Sequence, residues 1–307
     1  MRSTYAAKRT GVPQYCLGLV SIFIFAAFVF PSITNADRVN KRAVAAAHAI
    51  LTVKDVKFHS ASLSREITYR IYLPHAYAET NRRYPVLYLL HGIWGHFSDW
   101  DTESNLATYA ENLDLIIVMP DAGNSWYVNS ATVPRHKFED YVAKDLIAYI
   151  DANYRTIRER SGRAIAGLSM GGYGALKFGL KYPDLFAFAG SMSGALNAPG
   201  DLDTRQVLFR KNLLAVFGPP GSATRKENDV YSLLKQADPA KLPYLYVACG
   251  KEDPFVEVNR SFVAQLDAQH VAHEYHESFG SHTWNYWDNA VREMLPVLMR
   301  ALNPGPH

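Results

Sequence analysis

Continuous apolar runs alternate with amphipathic stretches along most of this chain. Runs that are apolar throughout are typical of strands buried on both faces of a parallel sheet. The segments with that pattern are 85–90, 115–119, 164–166, 185–190 and 243–249. Between several of them lie stretches with a helical repeat, and in 138–154 the apolar residues share one face. This alternation predicts an α/β fold, with a mostly parallel central sheet and helices on both faces.

The remaining patterns complete this outline. Segments 53–60 and 66–73 predict two early strands, the second by its strict apolar and polar alternation. Helices are predicted at 102–112 and 255–269, a strand at 273–279, and a final helix from Thr283 that Pro296 should kink. Segment 195–240 has no clear strand and is interpreted as an insertion over the sheet edge. We therefore expect one domain over residues 37–307.

A serine between two glycines directly follows the third buried run. The sequence Gly167-Leu168-Ser169-Met170-Gly171 stands where a strand gives way to a helix rich in small residues. At such a turn, G-x-S-x-G holds the serine in a strained conformation that pushes its Oγ out of the sheet. The two glycines leave room for the crossing backbone. The motif predicts the nucleophile elbow of the α/β-hydrolase fold, with Ser169 as the nucleophile.

The first 36 residues have the composition of an export signal. Three basic residues and no acidic ones precede an apolar stretch at 17–30, and the small residue Ala36 suits signal cleavage. The apolar stretch is short for a membrane span, so we expect a cleaved signal and a secreted or periplasmic protein without a stable span. An uncleaved anchor is the alternative. Cleavage would leave Cys249 as the one cysteine, which suits an oxidising compartment.

Composition narrows the set of partners. The formal charge of +3 matches the three basic residues of the first 36, so the rest of the chain is formally neutral and no nucleic-acid surface is expected. No spaced cluster of His and Cys predicts a metal, and no phosphate-binding glycine motif precedes a helix. We expect no cofactor, and a small-molecule or carbohydrate ester as the partner.

A catalytic serine needs a general base and a carboxylate that orients the base. In this fold they follow the serine in the order acid, then histidine, and both lie just after strands. His282 is the downstream histidine that follows a strand, in a loop opened by Gly280. Glu252 and Asp253 both follow the strand at 243–249. Because Pro254 restricts Asp253 to an extended backbone, we favour Asp253 and expect Glu252 to face solvent or brace the loop.

Two backbone N–H groups must also face the developing oxyanion. One is predicted to be the amide of Met170, which follows the nucleophile. The other should come from the loop His91-Gly92-Ile93-Trp94-Gly95, where we favour Ile93, with Gly92 as the alternative. His91 is interpreted as a brace for this loop rather than as a second base or a metal ligand.

Several aromatic residues lie near the predicted active-site loops. Trp94, Trp126 and Trp284 are candidates for a substrate-binding wall that contacts an acyl or aromatic group. Packing in the core is the equally supported alternative. The sequence does not choose between the two.

The motifs VLYLLHGIWGHFSDW, IAGLSMGGYGALKFGLKYPDLF, CGKEDPF and HTWNYW occur in this order. In them the chain resembles the bacterial esterase D-like family of α/β-hydrolases. That family includes tributyrin, feruloyl and acetylxylan esterases, S-formylglutathione hydrolases and mycolyltransferases. The resemblance implies a triad of Ser169, Asp253 and His282 with oxyanion amides from Ile93 and Met170. Formylglutathione hydrolases usually carry a cysteine in the loop where this chain has Gly92 to Gly95.

The expected function is hydrolysis of short-chain acyl or hydroxycinnamoyl esters by an exported serine carboxylesterase. Three alternatives remain at this point. One is acyl transfer of the mycolyltransferase type, and another is hydrolysis of a formylglutathione-like thioester. The third is a non-catalytic binding protein on the same scaffold, against which the complete triad argues.

Overall fold

The computed structural model describes residues 51–200 and 207–302. The export segment predicted at 1–36 lies outside the described residues. Within them, one eight-stranded sheet has the strand order β1-β2-β4-β3-β5-β6-β7-β8. Its strands are β1 Thr52–Ser60, β2 Arg65–Leu73, β3 Val86–Leu90, β4 Ile116–Pro120, β5 Arg163–Leu168, β6 Phe188–Met192, β7 Tyr244–Gly250 and β8 His273–Ser278.

The sheet is parallel from β4 to β8 along this order. Strand β2 is antiparallel to both β1 and β4, and the other neighbouring strands are parallel. The prediction of a mostly parallel α/β sheet is confirmed. Parallel strands place their carboxyl ends at one edge, so the loops after β3, β5, β7 and β8 lie together there.

The helices of the described residues cover both faces of the sheet. They are α1 Asp99–Glu103, α2 Leu106–Ala110, α3 Phe138–Asp140, α4 Ile147–Asn153, α5 Met170–Lys181, α6 Val207–Phe217, α7 Ala223–Glu227, α8 Val230–Gln236, α9 Val256–Ala268 and α10 Trp284–Leu302. Short 3₁₀ turns lie at His75–Tyr77, Arg160–Gly162 and Pro239–Lys241. None of these helices combines the length and apolar character that crossing a membrane requires.

Alternate residues of the central strands supply two apolar layers. Leu87 and Ala164 pack on one side with α1, α2 and α10, while Tyr88 and Ile165 pack on the other side with α4 and α5. Because both faces are covered, the central strands are apolar throughout, which is the pattern that predicted them.

Three predicted elements differ from the structure. The helix expected at 102–112 is two short helices, because Asp288 of α10 accepts the backbone N–H of Asn105 between them at 2.5 Å. The helix expected at 138–154 is present, but a π-helical stretch, Tyr141–Leu146, separates α3 from α4. Strand β6 begins three residues later than predicted, after a turn in which the Leu185 amide donates to the Tyr182 carbonyl.

Candidate active site

Ser169 occupies a sharp turn between β5 and α5. Its φ of 52° and ψ of −114° are unusual for a residue with a side chain, and such a conformation costs about 1–3 kcal/mol. The flanking glycines allow it. A Cβ on Gly167 would lie 2.6 Å from the carbonyl carbon of Gly171, and one on Gly171 would lie 2.6 Å from the carbonyl oxygen of Leu90. The strand–turn–helix predicted from the motif is therefore present.

A line of hydrogen bonds runs from Ser169 through His282 to Asp253. His282 Nε2 lies 3.0 Å from Ser169 Oγ, and His282 Nδ1 lies 2.9 Å from Asp253 Oδ2. Since a carboxylate accepts, Nδ1–H donates to Asp253 and leaves Nε2 to accept the serine proton. The Asp253 side chain is fully buried and the His282 side chain is 24% exposed. This arrangement can activate the hydroxyl as a nucleophile.

The two neighbouring acids after β7 have different partners. Asp253 reaches His282 with Oδ2, and its Oδ1 accepts the Phe255 amide at 2.8 Å. Glu252 instead accepts the amide of Gly280 at 2.6 Å, and its own amide donates to the Gly280 carbonyl at 3.1 Å. Glu252 therefore joins the loop after β7 to the loop that carries His282, as the bracing interpretation expected.

Aromatic rings hold the imidazole of His282 in place. Trp287 meets it edge-on with ring centroids 4.8 Å apart, and Phe255 does so at 5.2 Å. Sequence reasoning did not single out either residue. The available signal for Trp287 was its place on the first turn of α10, where a side chain points back toward the preceding loop.

The loop after β3 packs directly against Ser169. A Cβ on Gly92 would lie 3.6 Å from the Cβ of Ser169. The amide of Trp94 is already occupied, because it donates to Asn124 Oδ1 at 2.7 Å. Within the described part of the chain, the amides of Ile93 and Met170 have no hydrogen-bond acceptor. Both are therefore available to a substrate oxygen.

His91 is buried and bonded on both sides of its ring. Nε2 accepts the amide N–H of Ala122 at 3.0 Å, so Nδ1 carries the proton and donates to the Gly92 carbonyl at 2.7 Å. Burial lowers the pKa of His91, which keeps the ring neutral. This geometry fits a brace for the loop and leaves no ring nitrogen for a base or a metal.

Trp94 and Trp126 have different surroundings. Trp94 is 60% exposed and stacks on Phe209 of α6, with ring centroids 5.0 Å apart. Trp126 is 6% exposed, and its indole N–H donates to Asn212 Oδ1 at 2.7 Å. Of the two, Trp94 offers a surface to a ligand, whereas Trp126 fits the packing alternative.

Trp284 is half-buried at the start of α10. It meets Trp100 and Trp287 edge-on, each with ring centroids 5.3 Å apart. Trp100 in turn donates its indole N–H to the Leu90 carbonyl at 3.1 Å. Trp284 thus links the loop region after β3 to the helix after His282, and its main contacts are other aromatic rings.

The fold and the hydrogen-bonded serine define a serine hydrolase of the α/β-hydrolase type. The chain belongs to the family described as Putative esterase, which matches residues 60–298. It is a carboxylic ester hydrolase.

Three known proteins illustrate the likeness. An acetyl esterase of Caldicellulosiruptor saccharolyticus is 28% identical over 255 residues, or 78% of this chain and 96% of its own. The fluorophosphonate-binding serine hydrolase F of Staphylococcus aureus has a TM-score of 0.74 at 27% identity, covering 82% of this chain and 99% of its own. A ferulic acid esterase structure has a TM-score of 0.70 at 28% identity, with the same two coverages of 82% and 99%.

Proposed function

We propose that this protein is an exported serine carboxylesterase that acts through a triad of Ser169, His282 and Asp253. The observation that carries the proposal is the unbroken hydrogen-bond line from Ser169 Oγ through the imidazole to a buried carboxylate. The strained backbone of Ser169 supports the same role, because it holds the hydroxyl clear of the sheet.

In the first half-reaction, Ser169 Oγ attacks the ester carbonyl while His282 Nε2 takes its proton. The carbonyl electron pair moves onto oxygen, and the amides of Ile93 and Met170 stabilise this oxyanion. When the tetrahedral intermediate collapses, the C–O bond to the alcohol breaks and His282 returns the proton to the leaving oxygen. Asp253 holds Nδ1–H and stabilises the transient imidazolium.

In the second half-reaction, water replaces the alcohol. His282 removes a proton from water as it attacks the acyl carbon, and the Ser169 Oγ leaves with that proton. The products are a carboxylic acid and the free enzyme. An alcohol that outcompetes water at this step would give acyl transfer instead.

We propose short acyl or hydroxycinnamoyl groups as the substrate class. Trp94, next to Ile93, is stacked on Phe209 but remains 60% exposed, and its free surface suits a flat or small acyl group. The acetyl esterase and ferulic acid esterase relatives are named for groups of these two kinds. In this proposal Trp126 and Trp284 support the substrate-binding wall from within the protein and make few direct contacts with the ester.

A panel of p-nitrophenyl and methyl esters tests this substrate class. We expect acetyl, butyryl or feruloyl esters to be hydrolysed with kcat/KM at least about tenfold above that of a palmitoyl ester, since a difference of this size needs only about 1.4 kcal/mol of transition-state binding. A preference for the palmitoyl ester would contradict the proposal.

A competing alcohol separates hydrolysis from acyl transfer. If the acyl group is transferred, the ester of the added alcohol accumulates; if it is hydrolysed, the carboxylic acid does.

If the export signal is cleaved after Ala36, the mature protein has a defined first residue. Expressed from its full gene, the protein should be recovered outside the cytoplasm with a chain that begins near Asp37, because a small residue precedes that position after the apolar stretch. Intact-mass and N-terminal peptide mass spectrometry check this. An exported chain that retains residues 1–36 would show that the segment is an anchor.

A further inference from the structure

A lysine is buried in the helix that follows the nucleophile. Lys177 lies in the middle of α5 with its side chain 0% exposed. Its ammonium contacts Glu139 Oε2 at 2.7 Å and also donates to the carbonyl oxygen of Tyr127. The catalytic steps proposed above do not use this group, so its position needs another explanation.

The charge of this pair is well compensated inside the protein. Glu139 also accepts a hydrogen bond from Tyr182 Oη at 2.6 Å and contacts Lys181 Nζ at 2.7 Å. Burial opposes ionisation of Glu139, but Lys177 and these neighbours lower its pKa to about 2. Buried ion pairs seldom stabilise a fold more than apolar residues of similar volume would, and some instead fix one local arrangement. The second bond of Lys177, to the carbonyl of Tyr127, indicates what is fixed here.

That bond reaches a strained loop after β4. Trp126 and Tyr127 both have a φ of 55°, which residues with side chains rarely adopt in succession. The Lys177 ammonium holds the carbonyl of Tyr127, and the Tyr127 hydroxyl donates to the His91 carbonyl at 2.9 Å. Tyr127 is thus bound to α5 through its carbonyl and to the loop of His91 through its hydroxyl.

The strained loop, residues 122–127, also binds the residues on either side of Ile93. On the N-terminal side of Ile93, the Ala122 amide donates to the ring of His91, and that ring donates in turn to the Gly92 carbonyl. On the C-terminal side of Ile93, Asn124 Oδ1 accepts the amide N–H of Trp94 at 2.7 Å. The peptide that carries the Ile93 N–H is therefore fixed on both sides by residues 122–127.

We propose that Lys177, paired with Glu139, is a positioning residue that holds loop 122–127 and through it aims the Ile93 amide at the oxyanion. This inference rests on the proposed esterase mechanism and deepens it. Lys177 does not touch the substrate. It acts through Tyr127, His91 and Asn124, so its loss should disturb the transition state more than substrate binding.

The test compares Lys177→Met with Arg163→Met. Arg163 forms a largely buried pair with Asp151 at 2.6 Å, but it is the first residue of β5, about 17 Å from the end of that strand nearest Ser169. In both variants the remaining carboxylate keeps other partners. Glu139 keeps Lys181 and Tyr182, and Asp151 keeps the Thr156 hydroxyl. We expect both variants to lower the melting temperature.

The two variants should differ in kinetics. We expect Lys177→Met to lower kcat about ten- to hundredfold with KM nearly unchanged, since a misplacement of about 1 Å can cost this much. The Ki of phenylboronic acid, whose adduct with Ser169 fills the oxyanion site, should rise by a similar factor. Arg163→Met should keep both kcat and Ki within about twofold when assayed below its melting temperature. Arg163 is distant from the oxyanion site and, among the described residues, shares no hydrogen-bond partner with it, so the two sites should not be coupled.

An exposed residue supplies a second variant that does not endanger folding. Asn124→Ala removes the bond to the Trp94 amide and should also lower kcat more than it changes KM. The double variant with Lys177→Met should lose less than the product of the two single losses, since both act through one loop. Unchanged kcat and Ki in Lys177→Met and Asn124→Ala, or equal losses in Lys177→Met and Arg163→Met, would overturn the inference. Full activity in Ser169→Ala would instead overturn the proposed function.

Discussion

Replacing Ser169 with alanine should lower kcat by about 10⁶-fold, as in other enzymes whose triad serine is removed. The change deletes the one atom that forms the acyl-enzyme bond in the proposed mechanism. The fold should survive, because in the described residues the Ser169 hydroxyl is bonded to His282 alone. Steady-state hydrolysis of an activated ester, together with the melting temperature, measures both effects.

Ser191 provides the matched control for this variant. It is a buried serine at the end of β6, and its Oγ has no hydrogen-bond partner among the described residues. A Cβ on Gly172 of α5 would lie 2.7 Å from that Oγ, so Ser191 packs against the first turn of the helix that follows Ser169. Ser191→Ala should keep kcat. Activity in Ser169→Ala within tenfold of the parent would rule out the assignment of the nucleophile.

Changing Asp253 to asparagine should lower kcat by about 10⁴-fold, because it favours the wrong imidazole tautomer. The asparagine NH₂ would donate to His282 Nδ1, which places the imidazole proton on Nε2 and faces it toward Ser169 Oγ. The base could then no longer accept the serine proton. The kcat of this variant on one activated ester, and its pH profile, provide the measurement.

Glu252→Gln is the natural comparison for that variant. Its side-chain carbonyl can still accept the Gly280 amide, so the bracing contact survives the loss of charge. We expect its kcat to stay within about tenfold of the parent, as for a group outside the proton-transfer chain. If Glu252→Gln were the inactive enzyme and Asp253→Asn remained active, the acid would be wrongly assigned.

The sequence predicted the parts of the site that depend on local chain geometry. The glycines around Ser169 and the strand ends before His91, Asp253 and His282 are local signals, and parallel strands bring their carboxyl ends together. The choice of Asp253 over Glu252 rested on Pro254, and in the structure Asp253 is the acid that contacts the histidine.

Contacts between distant segments were not predictable in the same way. Asn124 and Asn212 meet across 88 residues, and nothing in either segment alone indicates the other. Lys177 did leave a signal, because it is the one charge between Met170 and Leu180 in a helix otherwise small and apolar. A charge in such a helix indicates a buried partner, but the sequence does not say that the partner is Glu139.

The paired loops after β7 and β8 constrain how this site can change. Lys251 donates its amide to the Ser278 carbonyl at 2.9 Å, and Glu252 is joined to Gly280 through both its amide and its carboxylate. A Cβ on Gly250 would lie 2.1 Å from the Gly280 carbonyl oxygen. An insertion in one loop would separate acid from base unless the other loop changed to match. Over evolutionary time the two loops should therefore vary in length together, as one inherited unit.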